Sequence, residues 1–529
     1  MRHARTRRPP VTLLALLAVM AVATPTTVWL LVRPERTANV IDGSRAEDRA
    51  GRAARPEDRC AGQPLSASHE LRGMWLTTVR NLDFPSRPGL DEETVKAEYR
   101  GWLDLAQRLN HNAIFVHVRP SGDAFWPSDF APWSDWLTGR RDGVGPGWDP
   151  LQFMVNEAHA RNLEFHAWFN PYKGSQIGDP NQLQPDHPLR KHPEWQVVFP
   201  ATGSESRLYY NPGIPEARKF VEDSILEVVR RYDVDGVHFD DFFYPYPVSG
   251  QDFPDDPTFT QFGTGFASKG DWRRDNVNRF VQETGQRIKQ IKPWVKYGIS
   301  PFGIWRNNRT DPAGSATKGL QSFDEIYADT RLWVKQQWLD YIAPQLYWNI
   351  GFEAADYAKL LPWWADLIHG TKVQLYIGQA DYRVGQSGAW SDPEELNREM
   401  ALNRQYKVSG SIHFSARNLR DDKLGAVARY RDALNAAPAL VPPMAGLPSS
   451  PPKPPTGLTA RGGQLSWRSP ATSFAIYKVD QASGTAKLVG TTRATSWTDR
   501  SSRAGTYCVT ALDRSWNEGE PSAPVTDSP

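Results

Sequence analysis

Across residues 71–435 the chain alternates short apolar runs with longer amphipathic stretches, and no other feature narrows its fold so far. The runs RGMWLTT, NAIFVHV, LEFHAWF, DGVHF, VKYGIS, YIAPQLY, VQLYIG and GSIHF have the length and the β-branched and aromatic content of buried strands. Helical periodicity is expected between them, over 93–109, 151–161, 215–232, 272–291, 330–339, 357–368, 393–406 and 423–435. Parallel strands need a crossover of a dozen or more residues, which such helices supply. The pattern predicts an α/β fold, a closed (β/α)8 TIM-type barrel, with an open doubly wound sheet as the alternative. Neither GxGxxG nor GxxxxGK[ST] follows an early strand, so no nucleotide cofactor is expected.

In a barrel of this kind chemistry gathers where the strands end. The run VDGVHFDDFFYP at 234–245 delivers adjacent carboxylates, Asp240 and Asp241, with an aromatic cluster behind them. Alternation points His238 and Asp240 to one face, while Asp241 falls where strand gives way to loop. Crowded, desolvated carboxylates acquire unequal pKa values, the requirement for acid/base catalysis. Other strand ends add His117, Arg119, Asp123, Phe125 and Trp126; His166, Trp168, Asn170 and Tyr172; Ser300, Phe302 and Trp305; Gln345, Tyr347 and Trp348; and Gln379, Asp381 and Tyr382. Of these, Arg119, Asp123, His166, Trp168, Asn170, His238, Trp305, Gln345, Tyr347, Trp348 and Asp381 are the candidate substrate-binding residues. His117 and His166 are equally well read as hydrogen-bonded barrel-core histidines. Asp329 is expected to cap a helix.

Charge and aromatic content bound the ligand. Lys and Arg number 62 against 60 Asp and Glu, which leaves no basic field to attract nucleic acid. Twenty-one tryptophans lift the aromatic share to 12%, and indoles at strand ends suit the apolar faces of sugar rings. No zinc-binding framework exists, and no metal or cofactor is expected.

Outside the barrel, Arg2, Arg5, Arg7 and Arg8 precede an apolar stretch at 11–32, the order of an export signal or an uncleaved anchor occupying 1–32. This implies an exported protein, either secreted to the cell wall or held at the outer face of the cytoplasmic membrane, which it touches through its N-terminal segment only. A flexible stalk is expected over 33–68, the barrel over 69–437 and a Pro-rich linker over 438–455. Residues 456–529 carry short β-rich pieces that look like an immunoglobulin-like, fibronectin type III sandwich, with Trp467, Tyr477 and Tyr507 in its core. Linker and stalk imply separable modules, so a chain ended near Ala437 is expected to fold. Cys60 and Cys508 fall in different modules, and Cys508 is expected to be a free buried thiol.

The chain resembles the glycosyl-hydrolase-like 10 family of exported bacterial (β/α)8 barrels. The resemblance rests on LRGMWLTT at Leu71, NAIFVHVRPSGDAFWPS at Asn112, FHAWFNPY at Phe165, VDGVHFDDFFYPYP at Val234, ISPFGIW at Ile299 and YIAPQLYWNIG at Tyr341. It implies hydrolysis of glycosidic bonds in glycan polymers, with the glycan strands of bacterial cell-wall peptidoglycan as leading substrate. A looser similarity to the chitinase-type signature DGxDxDxE covers 235–242. There His238 replaces the first inner Asp and Phe242 stands in place of the acid Glu, so that acid is not carried over. Two carboxyl groups about 5 to 5.5 Å apart would give retention, and 6.5 to 9.5 Å inversion. Asp123 or Asp381 is the candidate distal partner. Alternatively an N-acetyl group of the substrate is the nucleophile, one Asp the acid, and Tyr347 or Asn170 the polariser. The competing class is a non-catalytic glycan-binding or envelope scaffold protein, in which the acidic pair controls affinity only.

Overall fold

The computed structural model describes residues 59–200, 205–501 and 504–527. The expected signal or anchor at 1–32, and the stalk as far as residue 58, lie outside the described residues. Eight parallel strands close into a barrel in chain order: β1 (Leu71–Leu76), β2 (Ala113–Arg119), β3 (Glu164–Phe169), β4 (Gly236–Phe239), β5 (Lys296–Ile299), β6 (Tyr341–Ile342), β7 (Gln374–Gln379) and β8 (Gly410–His413). β8 pairs with β1, which completes the ring. The (β/α)8 expectation holds. The sixth strand is the exception in length, because its ladder stops before Pro344, a residue with no N–H to offer.

The helices are α1 (Glu92–Arg108), α2 (Pro150–Ala160), α3 (Pro215–Arg231), α4 (Lys269–Ile291), α5 (Thr330–Lys335), α6 (Tyr357–Ile368), α7 (Glu395–Gln405) and α8 (Ala426–Leu434). Local chemistry sets their starts. The Asp91 side chain accepts from the Thr94 N–H at the head of α1, and α2 and α3 begin on prolines, whose missing N–H costs nothing there. In α1 the buried residues Val95, Tyr99, Leu103 and Ala106 recur at helical spacing and face the strands.

The lower end of the barrel, where the strands begin, is closed by the C-terminal all-β part. Strands Arg59–Cys60 and Gln63–Ser66 join Thr485–Thr492, Phe474–Asp480, Gly505–Ala511 and Val525–Asp527 in one six-stranded sheet. Thr456–Arg461, Gln464–Arg468 and Ser496–Thr498 form a second sheet. Trp467, Tyr477 and Tyr507 are buried, as expected of packing residues. Three expectations are corrected. Cys508 is not a free thiol: the segment from Arg59 joins the sheet that holds Cys508, and a disulfide links Cys60 to Cys508 at a Cα–Cα distance of 5.7 Å. The expected stalk is ordered strand from Arg59 onward, and Ser68–His69 pairs with Ala439–Leu440. The Pro-rich linker is not a bare spacer either. Val441, Met444 and Leu447 are buried in one apolar cluster with Leu71, Phe115, Tyr341 and Tyr376 of the barrel and Tyr477, Leu512 and Trp516 of the C-terminal part.

Candidate active site

The acidic pair sits just past β4, at the opposite end of the barrel from the C-terminal sheets. Both carboxylates are buried, at 5% exposure for Asp240 and 4% for Asp241. Asp240 accepts from the Phe242 backbone N–H at 3.1 Å. Asp241 accepts from the Tyr246 hydroxyl, and the side-chain amide of Gln345 also holds it. That amide donates to the Ser300 carbonyl at 2.9 Å, so β5 and β6 together present it to the pair.

The two carboxyls differ in company. Burial, and next the charge of Asp241, push Asp240 well above the usual carboxylate range, against the Phe242 N–H, the Lys173 ammonium and the Trp168 indole N–H. Burial raises Asp241 also, but Tyr246, Gln345 and Lys173 support its charged form. Of the two, Asp240 is therefore the carboxyl that holds a proton more readily. Lys173, on the short strand Lys173–Ser175 after β3, places its ammonium 4.4 Å above the Phe242 ring. Burial in this cleft lowers it to about 8.

Around the pair the strand ends make a ring of aromatic and amide groups. Trp168 stacks on His117 with centroids 3.9 Å apart, and its buried indole N–H is turned toward Asp240. Burial holds His117 well below the usual histidine range, so the imidazole is neutral; Asn170 lies beside it with an unpartnered buried carbonyl oxygen. Across the mouth, Tyr347 lies close enough to both carboxylates for their charges to raise its hydroxyl further above its ordinary value, although burial is the larger cause. Trp348 meets Phe302 edge-on at 5.4 Å, and Phe302 meets Tyr246 at 6.1 Å.

Six residues read from the sequence as substrate-binding lie elsewhere. His166 and His238 belong to a polar column along the barrel axis beneath the pair. The Trp75 indole N–H donates to His238 Nε2 at 3.1 Å, so we assign the ring proton to Nδ1, which donates to the Tyr341 hydroxyl at 3.0 Å. That hydroxyl donates to His166 Nδ1 at 3.0 Å, and His166 Nε2–H donates to Glu164 at 3.0 Å. Lys296 at 2.5 Å and the Trp516 indole at 2.7 Å donate to the other Glu164 oxygen. Gly236 and Gly298 belong to this column because a Cβ at either would lie about 2 Å from the His166 or Tyr341 ring. Alternation along a strand gives the face but not the depth, and these histidines are a layer too low to meet substrate. Trp305 turns outward, donates to Asp329 at 3.0 Å and stacks on Trp363. Asp329 itself caps α5, as expected. Asp381 is held by His413 at 3.0 Å. Arg119 is fully buried, donates to the Pro171 carbonyl at 3.2 Å and lies over the Tyr210 ring. Asp123 accepts from the Ser121 N–H at 2.8 Å and opens into a separate cavity, where burial raises it to about 6.

Sequence reasoning missed Lys173 and Tyr246. Tyr246 stands within the aromatic run FFYPYP and was open to notice, whereas Lys173 shows no local pattern at all. Among the described residues no cluster of His, Cys, Asp and Glu has a metal-binding arrangement.

Residues 70–394 match the family described as Glycosyl hydrolase-like 10. The chain belongs to this family. As a member of the glycosyl hydrolase-like 10 family it is 45% identical to Glycosyl hydrolase YngK of Bacillus subtilis (strain 168) over 484 residues, which cover 87% of this chain and 94% of that protein. It is 42% identical to Glycosyl hydrolase DigH of Escherichia coli (strain K12) over 373 residues, 66% of this chain and 83% of the relative. Among solved structures it is similar to the catalytic domain of a β-amylase from Paenibacillus polymyxa, with a TM-score of 0.44, 10% identity and coverage of 70% of this chain and 99% of that one. The family match ends before β8, so the strand that closes the barrel lies beyond the matched residues.

Proposed function

We propose that this chain is an exported glycoside hydrolase that cuts the glycan strands of bacterial cell-wall peptidoglycan. The observation that carries the reading is the buried pair at the barrel mouth, with burial and the neighbouring charge raising Asp240 and donors gathered around Asp241. Membership of a glycosyl hydrolase-like family supports it, as does the similarity to two proteins named glycosyl hydrolases.

The arrangement favours the mechanism in which the substrate supplies its own nucleophile. Adjacent residues of one strand end do not straddle a glycosidic bond, and the other candidate carboxyls, Asp123 and Asp381, are engaged away from the pair. Asp240 then donates its proton to the glycosidic oxygen as the C1–O bond breaks, while the acetamido carbonyl oxygen of the same sugar bonds to C1. Asp241 accepts from the acetamido N–H, with Tyr246 and Gln345 holding that carboxylate in place. Water next attacks C1, its proton passes to the Asp240 carboxylate, and the ring opens back to the acetamide.

The test of substrate uses the full-length protein on intact peptidoglycan, peptide-stripped glycan strands, chitin and neutral glucans, with products followed by mass spectrometry. Cleavage of the wall glycan is expected. Cleavage confined to neutral glucans would defeat the cell-wall reading, and binding to wall glycan without products from any polymer would make the chain a binding protein.

Because Asp240 works as an acid, kcat/KM is expected to fall as pH rises through its raised pKa. The Lys173 charge lowers both members of the pair. Lys173→Met should therefore move the alkaline limb of the pH profile upward, and an unmoved limb would show that this charge does not reach the pair.

A further inference from the structure

A cavity of about 240 Å³ opens on the β2 and β3 side of the mouth, and neither Asp240 nor Asp241 lines it. Asp123 follows β2, Trp133 and Trp136 flank the start of the short helix Asp135–Thr138, and Ser175 ends the strand that carries Lys173. That strand measures how near the cavity is to the acidic pair. Lys173 acts on both carboxylates, and Ser175 is two residues further on, at most about 7 Å along an extended chain.

The walls define the ligand by what they lack. Trp133 and Trp136 are half-buried indoles, with ring surface left for an apolar face to cover. The Gln184 side chain donates to the Trp133 carbonyl at 3.1 Å, but its own carbonyl oxygen is buried with no partner in the protein. Asp123 lines the cavity as well, but its carboxyl is already held by the Ser121 N–H and the Ser134 side chain. A ligand here must bring a hydrogen-bond donor, since the buried group left over, the Gln184 carbonyl oxygen, is an acceptor. It need not bring charge: Arg141 is paired with Asp135, and Arg80 faces Glu205 at 3.5 Å.

We propose that this cavity is a sugar subsite, taking one uncharged pyranose ring with hydroxyl or amide N–H donors, next along the glycan from the ring whose bond is cut. The subsite rests on the glycoside hydrolase reading and extends it, since it makes the enzyme respond to glycan length on one side of the cleaved bond. The ring stacks on the indoles, and one of its hydroxyl or amide hydrogens satisfies the Gln184 carbonyl oxygen.

The experiment grades substrate by length. N-acetylglucosamine oligomers and peptide-free wall glycan strands of increasing size are given to the full-length protein and to Trp133→Ala, Trp133→Phe and Gln184→Leu, with kcat/KM read at each length. Affinity is measured by calorimetry in an Asp240→Asn background, so that binding is read apart from cleavage. In the wild type one added ring should raise kcat/KM, and Trp133→Ala should lose about ten-fold of that gain, chiefly through KM. Trp133→Phe should recover most of the loss, which a variant that merely misfolds cannot do. The same loss in affinity without cleavage would uphold the subsite while removing the hydrolase reading. Equal length dependence and equal affinity in wild type and Trp133→Ala would overturn the subsite, even where the wild type cleaves. A wild type that binds no oligomer at all overturns both.

Discussion

Asp240→Asn is expected to abolish glycan cleavage, by about a thousand-fold or more, while the protein becomes no less stable at neutral pH. The amide keeps the volume of the carboxyl but has no proton to give the leaving oxygen. The stability half follows from the direction of the pKa shift. A carboxyl raised on folding favours the native state below its unfolded value near 4, and that contribution is lost as pH rises through the raised value. At neutral pH the buried pair must hold a proton that the unfolded chain gives up, which is a burden on the fold, and replacing Asp240 by a neutral amide lightens it. Asp241→Asn should also stop turnover, because Tyr246 and Gln345 would then face an amide in place of the carboxylate they support. Rates on wall glycan and thermal unfolding of both variants at pH 5 and pH 7.5 give the check. Near-normal turnover in both would end the assignment of this pair, and a collapsed melting transition in Asp240→Asn would show that it holds the fold together.

Much of this was legible because the signals are local. The helix expected at 357–368 is Tyr357–Ile368, and α3 departs from expectation by one residue at its C-terminal end. YIAPQLY reads as a strand through Tyr347, yet its ladder ends at Ile342; only isolated bridges from Gln345 to Phe302 and Gly378 carry the run on to the mouth. What failed was depth and distance. His166 and His238 alternate toward the barrel interior just as a substrate-facing residue would, and only the closed barrel shows that Tyr341 and Glu164 already satisfy them. Lys173 reaches the pair because a short strand outside the barrel folds back over the mouth, a placement with no local pattern. Cys60 and Cys508 are 448 residues apart, and the parallel pairing of Gln63–Ser66 with Thr485–Thr492, which ties the first segment into the sheet that holds Cys508, leaves no mark in either segment.

Linker composition predicts a barrel that folds without its C-terminal part; the floor of the barrel predicts the reverse. Ending the chain at Ala437 removes the partner of Ser68–His69 and uncovers Leu71, Phe115, Tyr341 and Tyr376. It also takes Trp516 from Glu164, leaving a buried carboxylate one donor short at the foot of the polar column. Loss of one large buried aromatic costs about 3 to 5 kcal/mol, and loss of a disulfide closing so long a loop costs about 5 kcal/mol. Against a total stability of about 5 to 15 kcal/mol, the two together are a loss of the same size as the whole. The full chain should therefore melt in one transition that includes the barrel, and the chain ended at Ala437 should be insoluble or loosely packed. The joint variant Cys60→Ser and Cys508→Ser separates the two costs, because it keeps Trp516 in place and should lower the unfolding midpoint without abolishing the fold. A truncated barrel that melts sharply near the temperature of the full chain would show that the C-terminal sheets only rest against the floor, and that the composition of 438–455 was the better guide.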